Sequence, residues 1–192
     1  MMTTFENIAR DHQACIDRLS GLSTVIEAAA RCLGKVIAAS GRIFICGNGG
    51  SAADAQHFAA ELVGRFEIER RPFPAVALTT DTSILTAVTN DYAYDSVFTR
   101  QLGALASPGD ALVGISTSGH SANIIAALDL ARQRGLKRIA LCGRDGGQMK
   151  DGGDHVIVVP SDNTARIQEA HILILHYFAA VVEEMNREQK TP

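Results

Sequence analysis

Apolar and polar positions along the chain follow two periods, and these divide it into an opening helical pair and a long alternation of strands and helices. Over residues 4–19, Phe5, Ile8, Ala9, Cys15, Ile16 and Leu19 share one helical face. Over 22–39, Leu22, Val25, Ile26, Ala29, Leu33, Val36 and Ile37 do the same, with Gly21 and Gly41 as punctuation. Short unbroken apolar runs then predict strands at Ile43–Cys46, 75–79, 111–115, 138–142 and 155–159. Helical patterns at 52–66, 82–89, 94–105, 121–134 and 163–186 separate and follow them. Strands without polar alternation, spaced by helices, predict a parallel sheet covered on both faces. The expected fold is therefore α/β: a doubly wound, five-stranded parallel sheet flanked by helices, with an N-terminal helix pair and a long C-terminal helix. Ligands of such sheets sit beyond the carboxyl ends of the strands. No repeat, low-complexity tract or linker interrupts the pattern, so one domain over 1–192 is expected.

The first strand runs into Gly47-Asn48-Gly49-Gly50-Ser51. Three glycines in four positions let the backbone turn sharply and bring N–H groups close to a ligand. The following helix aims its positive N-terminal end at the same place, which predicts an anion there. Ala55, Phe58, Ala59, Leu62 and Phe66 form its core face, and Asp54, His57, Glu61 and Arg65 a polar stripe. Imidazole and carboxylate four residues apart can hold one metal ion or share one proton-transfer task. The plain alternative is a solvated face carrying a Glu61–Arg65 ion pair.

A second polar loop, Ser116-Thr117-Ser118-Gly119-His120-Ser121, follows strand 111–115 and precedes a helix. Hydroxyls and helix N–H groups together make an uncharged phosphate cradle. Helix capping by Ser118 or Ser121 accounts for one serine, not for four hydroxyls. Gly47-x-Gly49-x-x-Ala52 also fits the dinucleotide fingerprint in form, but that scheme needs an acidic residue about 20 positions on. Asp81 lies further away, and neither the serine loop nor the His57/Glu61 stripe has a part in it.

The last helix is apolar nearly all round (Ile167, Ile172, Leu173, Ile174, Leu175, Tyr177, Phe178, Val181, Val182), so burial in a subunit interface is expected. Gln168, His171 and His176 stand within it, and a histidine so placed is ordinarily a hydrogen-bonded core residue. The formal net charge of -3 and pI near 6.0 give no electrostatic case for nucleic acid or an acidic membrane. Cys15, Cys32, Cys46 and Cys142 lack metal-site spacing, and two of them end predicted strands, so reduced core thiols are expected. With no long apolar run and no leader-like N-terminus, a soluble, cytoplasmic protein is the expectation.

With both loops placed, the chain resembles the sugar isomerase (SIS) domain family over nearly its whole length, and within it the phosphoheptose isomerases. The resemblance rests on Cys46–Ser51, His57-Phe58-Ala59-Ala60-Glu61, Asn90-Asp91, the Ser116–Ser121 loop, and Arg166-Ile167-Gln168-Glu169 with His171 and His176. It implies an SIS-type αβα sandwich that isomerises the seven-carbon sugar sedoheptulose 7-phosphate to the aldose D-glycero-D-manno-heptose 7-phosphate, for surface polysaccharide. It further implies a homotetramer, joined in part by helices within 1–40, and one Zn2+ per subunit. Carried over, Glu61 matches the general base and His176 the general acid. His57, Glu61, Gln168 and His176 match metal ligands. Asn48, Gly49, Gly50, Ser51, Glu61, Asn90, Asp91, Ser116, Thr117, Ser118, Ser121 and Gln168 match substrate contacts. Gln168 and His176 are about 12 Å apart along an ideal helix, a tension for one shared ion. Ala165 stands where some members carry aspartate. A related branch binds a replication initiator without isomerase activity, but lacks the counterparts of Glu61 and His176. Isomerisation of another sugar phosphate is the remaining alternative.

Overall fold

The computed structural model describes residues 3–187. Helices α1 (Phe5–Leu19) and α2 (Ser23–Ala38) open the chain, joined by a 3-10 turn at Ser20–Leu22. The Thr4 side chain caps α1 by accepting from the Asn7 N–H at 3.3 Å. Then follow β1 (Ile43–Gly47), α3 (Gly50–Val63), β2 (Ala75–Ala77), α4 (Thr82–Asp91), α5 (Val97–Leu105), β3 (Ala111–Ser116) and α6 (Ala122–Gln133). The order closes with β4 (Lys137–Gly143), β5 (His155–Val159) and α7 (Thr164–Asn186).

The five strands are parallel in the order β2-β1-β3-β4-β5. Alternation along each strand feeds two cores. Ile43, Ile45, Val113, Ile115, Ile139 and Leu141 face a layer built with α1, α2, α3 and α7. Phe44, Cys46, Leu112 and Ala140 face the layer of α5 and α6. Strand order reverses between β1 and β3, which pair from Ile43↔Ala111 to Gly47↔Ile115. The crevice at that reversal lies where α3 departs to one face and α6 to the other.

Three local expectations are corrected. α3 ends at Val63, where Gly64 closes it through its N–H to the Ala60 carbonyl at 2.8 Å, so Arg65 and Phe66 lie in the following loop. The strand expected over 75–79 is paired only over Ala75–Ala77, as befits an edge strand. The helix expected over 94–105 is a 3-10 turn, Tyr94–Ser96, followed by α5. A further 3-10 turn at Gly147–Asp151 had no apolar period to announce it.

Candidate active site

Both polar loops stand at the strand-order reversal. Asn48, Ser51, Ser116, Thr117, Ser118 and Ser121 line a small polar cavity of about 100 Å3, and Gln168 from α7 completes it. Ser121 occupies the N-cap position of α6 without making a side-chain cap; its Oγ instead lies 2.8 Å from Ser116 Oγ. Ser116 Oγ is also 3.4 Å from Ser118 Oγ, which accepts the His120 N–H at 3.2 Å. The capping alternative therefore does not account for these hydroxyls, which turn toward one another around the cavity. Gly119 sits at φ +68 with its backbone against Gly146, so a side chain there would meet the Gly146 carbonyl. This contact fixes the serine loop on the loop after β4. Gln168 packs directly on Gly50, where any Cβ would overlap its amide.

Asn48 is held by residues the sequence did not single out. Its amide and that of Asn123 exchange two hydrogen bonds of 2.9 Å, and the Tyr94 hydroxyl donates to Asn48 Oδ1 at 2.8 Å. Asn123 is 2% exposed. The available signal was a polar residue on the helical face otherwise formed by Ile124, Ala127, Leu128 and Ala131.

The second group lies on α3 and α7. Ligand atoms of His57, Glu61 and His176 all fall within 4.8 Å of one another. His57 Nε2 is 2.9 Å from His176 Nε2 and 3.3 Å from Glu61 Oε1. Glu61 thus faces His57, while Arg65 lies 3.7 Å from Glu69, and the Glu61–Arg65 pair of a solvated face is absent among the described residues. Phe66 stacks on the His176 ring, with centroids 5.6 Å apart. Asp54 Oδ2 is buried without a partner among the described residues; burial pushes this carboxyl up to about 6, against the pull of His57. Two imidazole nitrogens and one carboxylate oxygen form a donor set that suits a divalent ion of zinc type.

The remaining candidates are placed apart from these groups or at their rim. Gly49 and Gly50 are exposed at the start of α3. Asn90 and Asp91 are exposed at the end of α4, where the Asn90 amide donates to Asp91 Oδ1 at 2.8 Å. His171 is fully buried in the α7 core side and bonds the Cys142 carbonyl at 3.2 Å. Burial pushes the Cys46 thiol up to about 12 and, more than the nearby Asp145 does, the Cys142 thiol up to about 11; neither is a nucleophile at neutral pH. A larger cavity of about 350 Å3 lies between α1, α2 and α7 and is lined mainly by apolar side chains. It carries no convergent polar chemistry, and the smaller polar cavity is the better candidate for a sugar phosphate.

Residues 9–143 match the SIS domain family. A phosphoheptose isomerase of Aliarcobacter butzleri is 53% identical over 173 residues, covering 90% of this chain and 92% of that protein. One from Geobacter sulfurreducens is 57% identical over 159 residues, covering 83% and 84%. The solved structure of the Neisseria gonorrhoeae phosphoheptose isomerase superposes with a TM-score of 0.87 at 45% identity, covering 95% of this chain and all of that one.

Proposed function

The chain belongs to the phosphoheptose isomerase family of SIS-domain proteins, and from that premise we propose that it interconverts sedoheptulose 7-phosphate and D-glycero-D-manno-heptose 7-phosphate in heptose biosynthesis. The observation that carries this reading is the meeting of a carboxylate and two imidazoles within 4.8 Å on a fold that also presents a hydroxyl-lined anion cavity. Aldose–ketose isomerisation asks for those parts and for no redox cofactor.

The serine loop, with helix N–H groups of α3 and α6 behind it, holds the phosphate. Glu61 removes a proton from the sugar carbon beside the carbonyl. His176 gives a proton to the carbonyl oxygen, so that an enediolate forms without a full charge on that oxygen. Delivery of the carbon-derived proton to the neighbouring carbon, while His176 takes the proton from the other hydroxyl oxygen, which becomes the new carbonyl, completes the exchange. Asn48, locked by Asn123 and Tyr94, orients the sugar hydroxyls. His57, Glu61 and His176 would hold one zinc ion per subunit, with Gln168 as a fourth ligand. When bound, such an ion offsets negative charge developing on the sugar oxygens.

A homotetramer accords with the placement of these groups. Glu61 stands eleven positions after Gly50, ~16 Å along α3, so the anion cavity and the Glu61/His176 group of one chain stand far apart for one substrate. Packing of copies through α1, α2 and α7 would place one chain's cavity, with its Gln168, beside another's Glu61 and His176. The apolar groove there, with Leu173 and Tyr177 exposed, is suited to such burial. The free, largely buried cysteines fit a reducing cytoplasm, and no helix among the described residues is long and apolar enough to cross a membrane.

The test is NMR of the purified protein with sedoheptulose 7-phosphate, with and without zinc. New anomeric signals of the aldose are expected. No conversion of this or any other sugar phosphate tried would instead favour a non-catalytic binding role.

A further inference from the structure

Glu183 lies two turns beyond His176 on α7, on the same helical face, and its carboxylate is 1% exposed. Four donors surround it. The N–H groups of Phe66, Glu67 and Ile68 approach at 2.8, 2.9 and 3.0 Å, and Arg70 Nε at 2.9 Å. Burial alone would raise this carboxyl, but these donors hold it below the usual carboxylate range. Arg70 is equally buried, and its guanidinium faces the other way with its second edge. Nη2 donates to the Glu61 carbonyl at 2.8 Å and Nη1 to the Leu62 carbonyl at 2.8 Å. Both carbonyls belong to the C-terminal end of α3, where a cation is favoured, and that of Leu62 also accepts the Phe73 N–H at 3.0 Å. Phe73 closes the arrangement, its ring 3.9 Å below the guanidinium carbon.

We infer that the buried Arg70–Glu183 pair positions the reaction centre. Resting on the roles proposed above for Glu61 and His176, this assigns the pair two tasks. It ties the last turn of α3, which carries Glu61, to the α7 face that carries His176. It also anchors the first residues of the 64–72 loop, so that Phe66 stacks on the His176 imidazole at an interplanar angle of 26°. An apolar contact could hold two helices together, but it would take these partners away from three loop N–H groups and from the Glu61 carbonyl. The pair serves both, and thereby fixes the distance and the ring orientation on which proton transfer depends. Neither residue touches the substrate.

Two substitutions test this. Glu183→Gln keeps the size but removes the charge; Phe66→Leu leaves the ion pair intact and removes only the stacked ring. Leu102→Ala, in the opposite core layer, serves as a control for lost stability alone. All are assayed at a temperature where circular dichroism shows them folded. Misplacing a reacting group by a fraction of its reach costs up to about 100-fold, so turnover should fall about 10- to 100-fold in the first two, with KM changed less than about threefold. In protein with 13C-labelled histidine, loss of the Phe66 ring current should move the His176 ring signals in the same direction in both. Leu102→Ala should move neither. If Glu183→Gln does not fold, Arg70→Lys, which keeps the charge but gives up the guanidinium bonds to the Glu61 and Leu62 carbonyls, carries both readouts. Unchanged turnover with unmoved His176 signals would overturn the inference, as would equal losses in Leu102→Ala. The NMR arm requires no turnover, so a wild type inactive on sugar phosphates would refute the function while the His176 signals still decide the positioning.

Discussion

His171 should make the fold acid-sensitive by an amount that the structure sets. The ring is fully buried between α7 and β4, and its Nε2 bonds the Cys142 carbonyl at 3.2 Å, which fixes Nε2 as the protonated nitrogen. Nδ1 has no partner among the described residues, so a proton there would be both desolvated and unbonded. Burial accordingly pushes His171 down from 6.5 to about 4, with the carbonyl pulling weakly the other way. The unfolded chain takes up a proton near pH 6.5 that the folded chain refuses until about pH 4. Stability is therefore complete above pH 6.5, falls as pH drops through that window, and levels off below it. The full difference is worth about 3 kcal/mol, of which about 2.5 kcal/mol is lost between pH 7 and pH 4.5. With a urea slope of about 2 kcal/mol per molar, the midpoint should move down by about 1 M. The assay is urea unfolding at several pH values and one fixed protein concentration, for wild type and His171→Gln. Glutamine can still donate to the Cys142 carbonyl but does not titrate. The variant's midpoint should lose about that 1 M of the pH dependence, and a variant as acid-sensitive as wild type would show that His171 is not the source of it.

Other outcomes follow from the two polar groups. Ser118→Ala and Ser121→Ala each remove a donor to a charged oxygen, worth about 1.5–3 kcal/mol, so calorimetry should show sugar-phosphate binding weakened about ten- to a hundredfold; unchanged affinity in both would move the phosphate elsewhere. Zinc titration should show one ion per chain, lost in His57→Ala, and chelation should slow turnover; metal-free protein of full activity would reduce the cluster to acid–base chemistry. Light scattering should give about four times the 20.4 kDa chain mass, and a monodisperse monomer at micromolar concentration would contradict the assembly.

Much of the architecture was legible because buried strands read as unbroken apolar runs and amphipathic helices keep their period. All five strands and the flanking helices lie where those periods put them, with ends shifted by a few residues. The overreach at α3 has a local cause. Phe66 continues the Leu62 spacing, but Gly64 ends the helix, and spacing alone carries no information about that break. Pairings distant in the chain were invisible for a different reason. Nothing near Arg70 specifies Glu183, and nothing near Asn48 specifies Asn123 or Tyr94; only the folded topology brings them together. The His57–Glu61 neighbourhood was readable from helical geometry, whereas the arrival of His176 beside them was implied by family resemblance alone. Helical spacing also put Gln168 and His176 well apart, and Gln168 lines the serine cavity.

In the proposed reaction Glu61 moves the carbon-bound proton. During turnover of sedoheptulose 7-phosphate in D2O, wild type should place deuterium on C1 or C2 of the sugar, read by NMR. Glu61→Gln keeps the side chain's size but has no basic oxygen to accept the proton. General-base catalysis is worth about 10²–10⁴-fold, so exchange and isomerisation should slow together by at least that factor, with metal content measured alongside. A folded, metal-loaded Glu61→Gln protein that exchanges and isomerises at the wild-type rate would show that Glu61 is not the base.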